Sequence, residues 1–169
     1  MRAIENSVRT AVGVVMLLLV ALPPAEAAVE QKQPVRQTSK RFVAANKKPH
    51  NLVLQVNAND AAMMNLALNN ATNVAQYYKD LGEKVTIEVV TFGPGLHMLR
   101  DDTSPVKARI KSIKEANPGI AFKACGNTQE NMHKAENKDI PLIPEATVVK
   151  SGVVRVMQLQ EQGWSYVKP

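Results

Sequence analysis

The chain has 169 residues, a formal net charge of +6, one cysteine, three histidines and 4% aromatic residues. A single cysteine excludes an internal disulfide, and with three scattered histidines it shows no metal-ligand spacing, so no metal is expected. So few aromatics also exclude the stacking platforms that bind single-stranded nucleic acid.

The N-terminus gives the destination. Residues 1–9, "MRAIENSVR", carry Arg2 and Arg9; an apolar run follows from Ala11 to Leu22, and Pro23-Pro24 precede Ala25-Glu26-Ala27. That is the order of a secretory signal. The run is shorter than the about 20 residues of a bilayer-spanning helix. Cleavage after Ala27 and a periplasmic destination with no lasting membrane insertion are therefore expected. In residues 28–49, Lys32, Arg36, Lys40, Arg41, Lys47 and Lys48 against Glu30 give +5, which leaves about +1 for residues 50–169. The basic excess belongs to a flexible Gln- and Pro-rich linker, not to a nucleic-acid-binding surface. Residues 50–169 then suit one domain.

From His50 the pattern is regular. "NLVLQVN" (51–57) predicts a buried strand that ends at helix-starting Asn and Asp residues. Asp60 caps the next helix, where Met64, Leu68, Ala71, Val74 and Tyr78 recur at helical spacing until Gly82 stops it. The opposite stripe, Asn65, Asn69 and Asn73, reads as a solvated face or as a contact for a ligand or subunit. "KVTIEVVTF" (84–92) is the second strand, and Gly93-Pro94-Gly95 turns into a short helix containing Leu96, His97, Met98 and Leu99. A third helix is predicted with Ser104 as cap and Pro105 at its first position, with Val106, Ile110 and Ile113 inward and Lys107, Lys111 and Lys114 outward; it closes at Asn117-Pro118-Gly119. "IAFKAC" (120–125) is the third strand. A brief helix, the loop "DIPLIPE", the strand "ATVVK", a Ser151-capped helix "GVVRVMQLQEQ" and a last strand "WSYVK" complete the chain. Strands alternating with helices predict an α/β sandwich around a largely parallel sheet.

The common catalytic motifs CxxC, HExxH, GxSxG and the P-loop are absent from the sequence. Gly93-Pro94-Gly95 could present backbone N–H groups to an anion or make a plain turn. Asp101-Asp102 reads as a solvent-facing acidic pair. Cys125 closes the third strand, where open parallel sheets bind their ligands. With Asn127 as cap, Glu130 completes a capping box, and the sulfur stands before a helix N-terminus, whose dipole favours a thiolate. Lowering a thiol by one pKa unit takes about 1.4 kcal/mol, whereas a helix terminus typically supplies about 0.3–1 kcal/mol. A further donor or cation is needed, with Lys123, His97 and His133 as candidates. The competing reading makes Cys125 a small buried hydrophobe.

"VNANDAAMMNLALNNATNVAQYY", "VVTFGPGLHML", "ACGNT" and "SGVVRVMQLQEQGWSYVKP" together resemble the DsrE/DsrF-like family, over about His50 to Pro169. The resemblance implies a three-layer α/β/α sandwich with a parallel sheet of about five strands, assembled as a homo-oligomer, a trimer or hexamer. Sulfur-relay members carry a persulfide on a cysteine at the end of a central strand, the place Cys125 resembles. There the cysteine precedes a pair of arginines; here Gly126-Asn127-Thr128 follows. Two functions are thus expected as alternatives. In the first, an exported carrier relays sulfane sulfur on Cys125 with His97, Asn127 and Thr128 shaping the pocket. It exchanges sulfur with a thiol-bearing donor or acceptor protein and needs no metal and no organic cofactor. In the second, an oligomeric module binds a small ligand or anion through Asn57, Asn59, Gly93 and Gly95, and Cys125 is structural. The odd cysteine also permits pairing with another chain.

Overall fold

Residues 49–169 are described by the computed structural model; the expected signal (1–27) and linker (28–49, Pro49 apart) lie outside them. Leu52, Val53, Leu54 and Val56 place apolar side chains on both pleats, and all four are buried, as in a strand covered on two faces. This is β1 (His50–Val56). The Asp60 carboxylate accepts the Ala62 and Met63 N–H groups at 2.7 and 3.1 Å and so caps α1 (Ala61–Asp80). Gly82, at φ 67°, takes the left-handed conformation that turns the chain away. Then come β2 (Val85–Thr91), a 3₁₀ helix (Gly93–Leu99), α2 (Lys107–Ala116) and β3 (Ile120–Cys125). The described chain ends with α3 (Gly126–Glu136), β4 (Ala146–Val149), α4 (Gly152–Glu161) and β5 (Ser165–Val167).

Two helix starts differ from expectation. The Ser104 hydroxyl donates to the Met98 carbonyl at 2.6 Å and accepts the Val106 N–H at 3.3 Å. It closes a turn ahead of α2, and Val106 is the cap residue. At α3 the cap residue is Cys125 itself, not Asn127.

The five strands are parallel and lie in the order β4-β3-β2-β1-β5. The connections from β1 to β4 all step the same way, and the last returns across the sheet to the far side of β1. Parallel crossovers are right-handed, so reversing the step moves the connecting helix to the other face. The larger core accordingly joins Leu52, Leu54, Ile87, Val89 and Phe122 of the sheet to α1 and α2, with Met132 of α3 against it. On the opposite face Val53 and Val90 meet Val156 and Leu159 of α4, with Phe92 and Trp164 at their margin. The result is a three-layer α/β/α sandwich.

This topology has one consequence for chemistry. β3 and β4 are neighbours, yet α3 and α4 leave them toward opposite faces, the arrangement at which open parallel sheets bind ligands outside the strands' carboxyl ends. Polar ties hold the helices of the larger core in place. Arg109 of α2 donates to Asn65 Oδ1 at 2.6 Å and to Asn69 Oδ1, so the first two asparagines of the α1 stripe dock a neighbouring helix. Arg100, 1% exposed, donates to Asp102 at 2.9 and 2.7 Å and to Glu136 at 2.5 and 2.9 Å. It ties the chain after the 3₁₀ helix to the last turn of α3, so Asp102, exposed like Asp101 as the sequence reading has it, is also part of an ion-pair cluster.

Candidate active site around Cys125

Cys125 ends β3 opposite Val149 of β4 and is 4% exposed. As cap residue of α3 its side chain occupies the position from which Ser, Thr or Asp normally accepts the N–H groups of the second and third helical residues. Here those residues are Asn127 and Thr128. From the other side comes the first residue of α4, Gly152. A Cβ built on Gly152 would stand 3.2 Å from Cys125 Cβ and 2.8 Å from Phe92 Cδ1, so only glycine lets the two helix starts approach this closely.

Burial pushes the Cys125 thiol up, but the Thr128 hydroxyl, then the backbone N–H groups of Gly152, Thr128 and Asn127, outweigh it. The thiol is held below its ordinary range. All four donors are neutral, so the thiolate is stabilised by dipoles of two helix N-termini and one hydroxyl rather than by a counter-ion. The Asn127 N–H is shared, since it also reaches the Lys150 carbonyl at 3.2 Å.

Thr128 is itself held in place. Its Oγ1 accepts the Gly93 N–H at 3.0 Å, with Gly93 at φ 53°. That bond engages the amide that an anion cradle over Gly93-Pro94-Gly95 would need. The Gly95 N–H donates to the Phe92 carbonyl at 3.2 Å, and proline has none to give. Gly95 is required for another reason: a Cβ there would lie 2.2 Å from the Val56 carbonyl oxygen. The triplet is therefore a turn pressed against the end of β1, with both of its N–H groups engaged within the protein.

The structure brings together Cys125, Asn127, Thr128 and Gly93. Asn57 borders Gly93 through its carbonyl oxygen, 4.0 Å from where a Gly93 Cβ would be, but neither Asn57 nor the exposed Asn59 is among the groups that shift the thiol. His97 bonds through Nδ1 to Thr103 Oγ1 at 2.8 Å, and His133 to the Lys138 carbonyl at 2.8 Å. With Lys123, they are absent from the groups that shift the thiol. The residue missed from sequence is Gly152. Its signal, Ser151-Gly152 opening a helix after a strand, was visible; that this strand lies beside β3 was not.

Among the described residues no group of three or more His, Cys, Asp or Glu is placed to hold a metal ion, and no helix is long and apolar enough to cross a membrane. No family model and no curated protein matches the chain. The chain is similar to the solved structure of the protein of unknown function MTH1491 from Methanobacterium thermoautotrophicum, with 29% identity, a TM-score of 0.60, and coverage of 71% of this chain and 99% of that one.

Proposed function

We propose that this chain is an exported, DsrE-like sulfane-sulfur carrier that holds a persulfide on Cys125 and works as a periplasmic homo-oligomer. The observation that carries the reading is the place of Cys125, cap residue of α3 at the end of β3 with the start of α4 packed so closely that a Cβ on Gly152 would stand 3.2 Å from its own, in surroundings that hold the thiol below its ordinary range. A thiolate is the nucleophile in sulfur transfer, and the same surroundings can hold the negative charge of a persulfide. The carrier step balances without a redox partner. The Cys125 thiolate attacks the outer sulfur of thiosulfate, a cysteinyl S–S bond forms, the donor's S–S bond breaks, and sulfite leaves with the electron pair. An acceptor thiolate, on a small molecule or a protein, then attacks the outer sulfur and releases Cys125 as thiolate. Exposed Val148, Val153, Val154 and Met157 on and beside α4 support assembly with further copies.

One observation favours the second reading, an oligomeric binding module with a structural cysteine: Cys125 is only 4% exposed. Incubating the full chain with thiosulfate and weighing the Cys125 peptide separates the two. The carrier gains one sulfur atom, releases it to an added thiol, and loses both properties in Cys125→Ser while fold and assembly persist. A peptide mass that never changes, in a chain that is folded, removes the carrier reading.

A further inference from the structure

A carboxylate sits inside the face of the sheet that α4 covers. Glu88, in the middle of β2, is 6% exposed and lies in register with Val53 of β1 and Ala121 of β3. An ionised carboxylate is costly there unless it is paired. Arg155 of α4 pairs it with both arms of a fork, Nε to Oε2 at 2.9 Å and Nη2 to Oε1 at 2.5 Å.

Arg155 also belongs to the first turn of α4, where its N–H donates to the Ser151 carbonyl at 3.0 Å. It follows Gly152 by three residues, on the same side of the helix. The rest of α4's attachment is slight: Gly152, Val156 and Leu159 are its buried residues. Apolar contact of that kind is non-directional and tolerates sliding, whereas a two-point guanidinium–carboxylate bond fixes both distance and orientation. A slip of one residue along the helix axis is about 1.5 Å, enough to carry an amide out of hydrogen-bond range of a sulfur.

We propose that Glu88 and Arg155 are positioning residues for the Cys125 site: their paired bond sets the height and roll of α4 on the sheet, and so keeps the start of α4, with the Gly152 N–H, against Cys125. The inference rests on reading Cys125 as the reactive group. It is tested through acidity rather than sulfur transfer, so its failure and the failure of the carrier role are separate results.

Thiolate absorbance in the ultraviolet is followed against pH in the full chain, with Cys125→Ser as blank; the chain has no second cysteine to interfere. Arg155→Met and Glu88→Gln are expected to move the thiol titration to higher pH, with about a tenfold smaller thiolate fraction at a fixed pH below the midpoint, the effect of losing one hydrogen bond to a charged atom. Arg155→Lys keeps the charge but not the fork, and recovers melting temperature more than thiol acidity. Val156→Ala weakens α4 from the apolar side, lowering melting temperature with the titration in place. The proposal is overturned if the titration is unchanged in folded Glu88→Gln and Arg155→Met, or if Val156→Ala shifts it equally at the same loss of melting temperature. Should Arg155→Met fail to fold, Arg155→Lys decides: a titration like that of the unaltered chain overturns the proposal.

Discussion

The Gly93 N–H donates to Thr128 Oγ1 at 3.0 Å, so the Thr128 hydroxyl, foremost of the groups that lower the Cys125 thiol, keeps its own proton to donate. A turn at the end of β2 thereby holds in place a hydroxyl-bearing side chain on α3, the helix that Cys125 caps. Removing the hydroxyl should leave a buried thiol with weaker support for its charged form. Thr128→Val is expected to raise the thiol pKa and cut the thiolate fraction at a fixed pH below the midpoint about tenfold; Thr128→Ser, which keeps the oxygen, stays close to the unaltered chain. Equal titrations for the valine and serine variants would remove Thr128 from the site.

The same asymmetry has a thermodynamic sign. The Cys125 pKa is lower in the folded chain than the ordinary thiol value, so ionisation favours the folded state. The added stability is fully present above the unfolded thiol's pKa and is lost as pH falls through the folded one. Unfolding free energy from urea titrations should therefore rise on the mildly alkaline side, and Cys125→Ser should flatten that rise. A slope that persists in the serine variant belongs to another group.

At the acid end the Arg100 cluster sets the slope. Hydrogen bonds from Arg100 hold the Asp102 carboxyl well below the carboxylate range and the Glu136 carboxyl down to about 2. Groups depressed in this way contribute stability above their unfolded pKa and lose it as pH falls through the folded value. Melting temperature should fall progressively from about pH 4.5 toward about pH 2, and Glu136→Gln should make that decline shallower. An unchanged acid limb in this one variant would show that the Arg100–Glu136 tie has no linkage to folding.

How much of this could be read from the chain alone depended on whether the cause was local. β1, the Asp60 cap and the burial of Ile110 and Ile113 follow from side-chain pattern and capping chemistry within a few residues, and the structure has them where the pattern put them. The position of Cys125 before a helix was legible for the same reason. What failed was the search for a cation among Lys123, His97 and His133. The missing donor was an amide 27 positions downstream, Gly152, brought there by the pairing of Cys125 with Val149 across β3 and β4. Strand order is a property of the whole sheet, and local spacing does not encode it. The alternatives left open at Gly95 and in the asparagine stripe have a similar root, since contacts with Val56 and Arg109 come from distant segments.

Gly95→Ala tests that long-range constraint by stability alone. The added methyl would meet the backbone of β1, 2.2 Å from the Val56 oxygen and 2.6 Å from its carbonyl carbon. Neither neighbour is the end of a flexible side chain, so the strand or the 3₁₀ helix must move. A loss of about 3 kcal/mol in urea unfolding is expected, and a loss under about 1 kcal/mol would mean that the turn yields easily.

Gly152→Ala separates stability from thiol chemistry at the position where the two helix starts meet. Alanine is the better helix former by up to about 1 kcal/mol, so helix propensity alone predicts a chain that is no less stable. The space around the residue predicts otherwise for the sulfur: the new Cβ would sit 2.8 and 3.0 Å from Phe92 Cδ1 and Cβ, and 3.2 Å from Cys125 Cβ. Phe92 is packed at the margin of the smaller core, so the start of α4 backs away and takes the Gly152 amide with it. The expected result is a thiol titration moved to higher pH in a protein whose melting temperature changes by little. If the alanine variant ionises like the unaltered chain, the α4 amide does not help to hold the thiolate, and α3 with Thr128 must suffice.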